Sequence, residues 1–175
     1  MLAGVMMNRP LLISSLIDYA AEIHPDQAIV SQTVEGGIHR YGYAASRPRI
    51  IKLANALRAM GIKPGDRVAT LAWNGFRHFE LYYAISGIGA VCHTINPRLS
   101  VEQFNYIVNH ADDQAIFFDT TFAPLIEKLA GRQPRALDRH AHGAERAVAV
   151  LRRRRDVVGV SGQPVSNHFS VDFRA

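Results

Sequence analysis

Three short apolar runs alternate with helical patterns along the middle of this chain, and that alternation is its strongest constraint on fold. Val68-Ala69-Thr70-Leu71-Ala72-Trp73, Ala90-Val91-Cys92-His93-Thr94-Ile95 and Ala115-Ile116-Phe117-Phe118 are each too short for a buried helix. They read as strands covered on both faces. Between the first two, Phe79, Tyr82, Tyr83 and Ser86 recur at helical spacing. Between the second and third, Val101, Phe104, Ile107 and Val108 do the same, with Ser100 as amino-terminal cap and His110 near the end. After the third strand, Thr120 or Thr121 caps a helix running to Leu129 and stopped by Gly131. Strand and helix in strict turn, with short connections, predict a mostly parallel sheet built from right-handed crossovers with flanking helices.

Upstream of that alternation the pattern changes. Ala28-Ile29-Val30-Ser31 and Ile38-His39-Arg40-Tyr41 flank Glu35-Gly36-Gly37, which predicts a β-hairpin with a glycine turn. Ile50, Leu53, Ala54 and Leu57 then mark a helix with Pro48 in its first turn and Gly61 as its carboxyl cap. Lys63-Pro64-Gly65-Asp66 is a turn. Near the amino terminus, Ile13, Leu16, Ile17, Ala20 and Ile23 form a helical stripe that ends before Pro25. The stripe, and the lack of a small-residue cleavage site behind Asp18, make this an amphipathic helix rather than a secretion signal. A cytoplasmic location is expected.

Charge divides the chain in two. The formal net charge is +5, but residues 1–131 balance 11 Lys and Arg against 11 Asp and Glu. The remaining nine basic residues, all arginines, face four acids in residues 132–175, so the whole excess lies in that tail. Leu137 to Leu151 is alanine-rich with a weak helical tendency. Arg152 to Arg155 is a run of like charge, and Val157 to Ala175 is irregular. A solvated run is the better reading of those arginines than a nucleic-acid patch, because only Phe169 and Phe173 lie nearby for stacking. No apolar run reaches the ~20 residues of a membrane span.

Candidate chemistry is sparse. No Walker-type loop and no GxGxxG turn occurs, and Gly87-Ile88-Gly89 lacks both the third glycine and a preceding strand. His140 and His142 stand near Asp138 without a second ligand cluster, and His39, His78, His93 and His110 are scattered. Cys92, the only cysteine, is expected to be an inert buried thiol. Arg77 and His78 are candidates for a pocket wall or subunit contact, with a structural role preferred. No residue is named as catalytic, cofactor-binding or metal-ligating. The residues by themselves specify an α/β domain without a complete active site.

A resemblance supplies more. Arg9-Pro10-Leu11-Leu12-Ile13, Thr33-Val34-Glu35-Gly36, His39-Arg40-Tyr41-Gly42-Tyr43, Lys52-Leu53-Ala54-Asn55-Ala56-Leu57, Gly61-Ile62-Lys63-Pro64-Gly65-Asp66-Arg67-Val68 and Ala72-Trp73-Asn74-Gly75 follow one another in a known order. They are joined by His78-Phe79-Glu80-Leu81-Tyr82-Tyr83-Ala84, Gly89-Ala90-Val91, His93-Thr94-Ile95-Asn96-Pro97-Arg98-Leu99 and Tyr106-Ile107-Val108-Asn109-His110-Ala111. Together they resemble the amino-terminal part of AMP-forming acyl-CoA synthetases, in wording closest to the branch for fatty or methylthio-alkanoic acids.

The resemblance implies a partial subdomain of the adenylate-forming ligase fold over residues 1–131. It also implies a family reaction in which a carboxylic acid, ATP and coenzyme A give acyl-CoA, AMP and pyrophosphate. The family uses ATP, Mg²⁺ and coenzyme A; its serine/threonine-glycine loop and its carboxyl-terminal lysine domain have no counterpart here. The chain is therefore expected to be a truncated portion, inactive alone and prone to self-association through exposed apolar surface. No nucleic-acid partner is expected. The alternative is a small α/β interaction module whose basic tail binds anionic partners. Two departures stand out: Gly42 where the family usually places threonine or serine, and Pro48 in place of a helix-friendly residue. Past Gly131 the resemblance stops, and residues 132–175 are expected to be an unrelated, poorly ordered and frameshifted extension.

Overall fold

A computed structural model describes residue 4 and residues 8–130, 137–140 and 148–153. The elements in order are α1 (Ser14–Ile23), β1 (Ala28–Gln32), β2 (Ile38–Gly42), α2 (Tyr43–Ala59), β3 (Arg67–Leu71), α3 (Phe76–Gly87), β4 (Val91–Thr94), α4 (Val101–Ala111), β5 (Ala115–Asp119), α5 (Ala123–Ala130), β6 (Leu137–His140) and β7 (Val148–Arg153). β1 and β2 form an antiparallel hairpin pairing Ala28 with Gly42 and Gln32 with Ile38. The other five strands make one sheet in the order β4-β3-β5-β7-β6.

The three apolar runs are parallel neighbours, as their alternation with helices predicts. Val68 pairs with Cys92 on one side and with Ala115 on the other. Alternation along these strands then separates two cores. Val68, Ala115 and Phe117 face one layer, where Leu53 and Leu57 of α2, Leu81 and Ile85 of α3, and Ile17 of α1 are packed. Ala69, Leu71, Ile116 and Phe118 face the other, against Phe104 and Val108 of α4 and Ile126 of α5. Phe117, Leu57, Leu71 and Leu81 are fully buried, each contributing about 1.5–3 kcal/mol of transfer free energy.

Chain punctuation explains the element ends. Gly61 takes φ +78° after α2, and the Ile62 amide closes back on the Leu57 carbonyl, a cap that residues with a Cβ adopt only under strain. Ser100 and Gln103 form a reciprocal capping box at the start of α4.

Five expectations need correction. The stripe of α1 is mostly uncovered: Ile17 is buried, whereas Ile13, Leu16 and Ile23 are exposed. α3 turns Leu81, Ala84 and Ile85 inward, and Tyr82 is exposed; small and aliphatic side chains fit the close approach to β3 better than a ring. β4 is an edge strand whose middle residues Cys92 and His93 are half-buried and whose ends Val91 and Thr94 are exposed, not one covered on both faces. Pro48 lies inside α2 rather than in its first turn, because the helix already begins at Tyr43. Finally, no helix forms at Leu137–His140 or Val148–Arg153; these pair as antiparallel strands, and β7 also pairs with β5. β-Branched Val148 and Val150 suit that choice. The rest of the arginine-rich tail lies outside the described residues.

Candidate functional site

Strand order β4-β3-β5 carries a geometric consequence. The chain leaves β3 for α3 on one face of the sheet and leaves β5 for α5 on the other. The two loops diverge, and a crevice opens between the carboxyl ends of β3 and β5, the place where open α/β sheets bind ligands.

Trp73 and Asp119 frame this crevice. The Trp73 backbone N–H donates to Asp119 Oδ2 at 2.7 Å, and its indole Nε1–H donates to Thr121 Oγ1 at 3.0 Å. The Trp73 ring also leans on Phe122, with centroids 5.0 Å apart. Asp119 is buried, and that burial lifts its carboxyl above the ordinary range despite the Trp73 amide.

Arg77 and His78, for which a structural role was preferred over a pocket wall, both lie here. Both line a small pocket with Thr33, Trp73, Gly75 and Asp119. His78 is buried and its Nε2 lies 3.0 Å from Thr70 Oγ1; burial pulls the ring below its usual pKa, although the contact with Trp73 backbone opposes this. Arg77 reaches back to the hairpin turn, holding Glu35 through two contacts of 2.7 and 3.3 Å. Burial pushes the Glu35 carboxyl up, but backbone hydrogen bonding and Arg77 together outweigh it and hold it below 4.5.

Beneath the hairpin lies a second polar group. Glu80 of α3 is fully buried. It accepts from Arg49 Nε at 2.6 Å and from the Tyr41 hydroxyl at 3.1 Å. Its neighbour Phe76 stacks on the His39 ring at 3.8 Å between centroids, while the guanidinium groups of Arg77 and Arg49 lie 4.5 and 5.8 Å from the Phe76 centroid. At the other end of the sheet, His93 Nδ1 pairs with buried Asp113 at 2.9 Å. Burial raises the Asp113 carboxyl, with His93 and Arg67 opposing.

Sequence reasoning did not single out Glu80, Asp113 and Asp119 as buried acids; for the first, an acid inside Phe79–Tyr83 was a usable signal. Cys92 is half-buried with its thiol pushed up to about 11 by burial, so it is a poor nucleophile. His110 stacks on Tyr106 at the surface of α4. Asp138 and His140 fall in β6, and His142 lies outside the described residues. Among the described residues, no three His, Cys, Asp or Glu side chains converge as a metal site. No described helix is long and apolar enough to cross a membrane. The crevice pocket measures about 20 Å³, room for a water and not for a nucleotide. The crevice pocket therefore does not fit ATP by itself, and no catalytic step is assigned to its lining.

The profile of the AMP-binding enzymes matches residues 17–168. The chain belongs to the AMP-binding enzyme family.

Two relatives place this AMP-binding enzyme chain more closely. It is 51% identical to the 3-methylmercaptopropionyl-CoA ligase of Ruegeria lacuscaerulensis over 126 residues, which is 72% of this chain and 23% of that protein. It is 47% identical to the medium-chain-fatty-acid–CoA ligase of Ectopseudomonas oleovorans over 132 residues, 75% of this chain and 24% of that one. A Mycobacterium tuberculosis fatty acyl CoA synthetase structure superposes with a TM-score of 0.61 at 26% identity, covering 71% of this chain and 24% of its own. The chain thus spans about a quarter of the length of the curated relatives it matches.

Proposed function

We propose that this chain is the opening portion of an AMP-forming acyl-CoA ligase acting on a fatty or methylthio-alkanoic acid, and that it does not complete the reaction alone. The observation that carries the reading is the 51% identity with a 3-methylmercaptopropionyl-CoA ligase over 126 residues. The chemistry itself, attack of a carboxylate on the ATP α-phosphate and then thiol capture of the acyl group, needs donors aimed at phosphate and carbonyl oxygens. In this reading those donors, together with Mg²⁺, come from a remainder. The present residues supply a two-cored sheet and the walls around Trp73 and Asp119. Cytoplasmic location follows the same reading.

ATP–pyrophosphate exchange with a panel of medium-chain and methylthio acids tests it. Exchange is expected to stay at background with the chain alone and to rise when a complementary segment from a relative is added. Turnover by the chain alone refutes the proposal. The basic-tail interaction module is set aside, because the family match over residues 17–168 takes in the arginine run itself as well as the charge-balanced part before it.

The proposal extends to two further points. The exposed apolar face of α1, with Leu12, Leu16 and Tyr19 each more than half exposed, supports self-association; a monodisperse, dye-negative monomer overturns this. The nine arginines without a lysine in residues 132–175 support a frameshifted origin for that tail. The profile match running to residue 168 carries the opposite expectation, and resequencing the locus decides between them.

A further inference from the structure

The β1–β2 hairpin stands apart from the main sheet. A two-stranded ribbon alone is marginally stable in water, and β1–β2 shares no backbone ladder with the main sheet. Its docking rests on side chains: the His39 ring on Phe76, the Tyr41 hydroxyl on Glu80, and Glu35 on Arg77. Val30 and Ile38 face outward and add nothing.

His39 occupies an unusual place among these contacts. Its Nε2 is buried without a hydrogen-bond partner. The Phe76 ring on which it stacks is already approached by two guanidinium groups. The charged and titratable groups around it are Tyr41 on its own strand, Arg49 on α2, Glu80 and Arg77 on α3, and Glu35 in the turn, which neutralises Arg77. His78, also on α3, bonds Thr70 instead. Among the described residues, Glu80 is the acid that favours a charge on His39, and it is already engaged by Arg49 and Tyr41. A proton on His39 creates a buried donor with no acceptor and adds a third cation to one ring.

What the hairpin covers gives the device its meaning. Thr33 and Val34, just past β1, close one side of the crevice pocket otherwise walled by Trp73, His78 and Asp119. We propose that the β1–β2 hairpin is an acid-released cover over the β3/β5 crevice, held shut by neutral His39 stacked on Phe76. Burial, and then Arg49, lower the His39 pKa, with Glu80 partly opposing. The sign follows from linkage. The native pKa lies below the free value of 6.5, so the docking contribution is complete above 6.5 and is lost as pH falls through it towards the native pKa.

Hydrogen exchange of the intact chain from about pH 7.5 to about pH 5, corrected for intrinsic rates, reads the device directly. Protection of the β1 and β2 amides is expected to fall, relative to β3, by up to roughly tenfold for each unit of pKa depression. His39→Phe keeps the stacked ring without the titration and is expected to hold hairpin protection constant over this range. Constant wild-type protection relative to β3, or equal acid loss in His39→Phe, overturns the proposal. Should the variant not fold, the NMR titration of His39 in the wild-type chain serves instead. A midpoint below 6.5, coincident with hairpin loosening, sustains the proposal, and a midpoint at or above 6.5 refutes it.

Discussion

Replacing Glu80 by glutamine tests the energetics of the buried polar cluster most directly. Glutamine keeps the volume and one acceptor but removes the charge that Arg49 and Tyr41 address at 2.6 and 3.1 Å. Removing one partner of a buried ion pair costs about 3–5 kcal/mol, because the other charge is left uncompensated. Here the Glu80 side chain is 1% exposed but that of Arg49 is 19% exposed, so water reaches the stranded guanidinium and the lower end, about 3 kcal/mol, applies. With an m-value of about 1.5–2 kcal/mol/M, that becomes a loss of about 1.5–2 M in the urea midpoint. Urea unfolding at neutral pH, followed by circular dichroism, measures it. The double variant Arg49→Met with Glu80→Leu removes both charges and is expected to recover most of the loss. It stays short of wild type by about 0.5–1 kcal/mol, because the Arg49 contact with Phe76 is also gone. A Glu80→Gln shift below about 0.5 M, or a double variant as unstable as the sum of its singles, refutes the reasoning.

Gly42→Ala is expected to cost about 1–3 kcal/mol, since its Cβ meets the Pro25 carbonyl oxygen at 2.5 Å; thermal unfolding checks this. Pro48→Ala restores a donor inside α2 and is expected to raise Tm, with a gain of up to about 3 kcal/mol. Asp119 has a native pKa raised above 3.8 by burial. Its contribution is therefore present below 3.8 and is lost as pH rises through the native value. Asp119→Asn keeps an acceptor for the Trp73 amide and is expected to flatten that loss in a series of melts from pH 4 upward. Leu57→Ala, at a fully buried position between α2 and the sheet, is expected to cost about 2–5 kcal/mol by denaturant unfolding.

The elements whose residues carry period and punctuation together were readable in advance. Ser100 capped α4, Gly61 ended α2, and the glycine turn joined β1 to β2, each because local chemistry and long-range packing agree. Where they diverged, the sequence misled. Nothing local to Tyr82 or Leu81 says which one faces β3; that choice depends on the depth of the groove between helix and sheet. Gly42 looked like a weakening substitution, but the approach of Pro25 makes it a requirement of the corner between α1, β2 and α2. The crevice was less legible still. Trp73 and Asp119 are separated by 46 positions, and only the order of β4, β3 and β5 in the sheet brings them together. Arg77 and His78 were picked out as wall residues, whereas the buried acids that give the region its electrostatics were not. A buried carboxylate is defined by its partners, and these come from distant segments.

The place of β3 between β4 and β5 has a consequence for how the chain is made. Twelve of the fourteen members of the first core, Ile17 through Ala90, precede β5, and only Ala115 and Phe117 come later. On a ribosome, α1, α2, β3, α3 and β4 can therefore gather around one apolar layer while the opposite face of β3 is still bare. That face, carrying Ala69 and Leu71, stays open until α4 and β5 have emerged. Pairing Val68 with Ala115 spans 47 positions, a closure whose entropy must be met before any contact rewards it. The nascent chain thus passes through a stage with one finished core and one sticky sheet face. During synthesis, as well as in the completed fold, this polypeptide presents apolar surface on which aggregation can start.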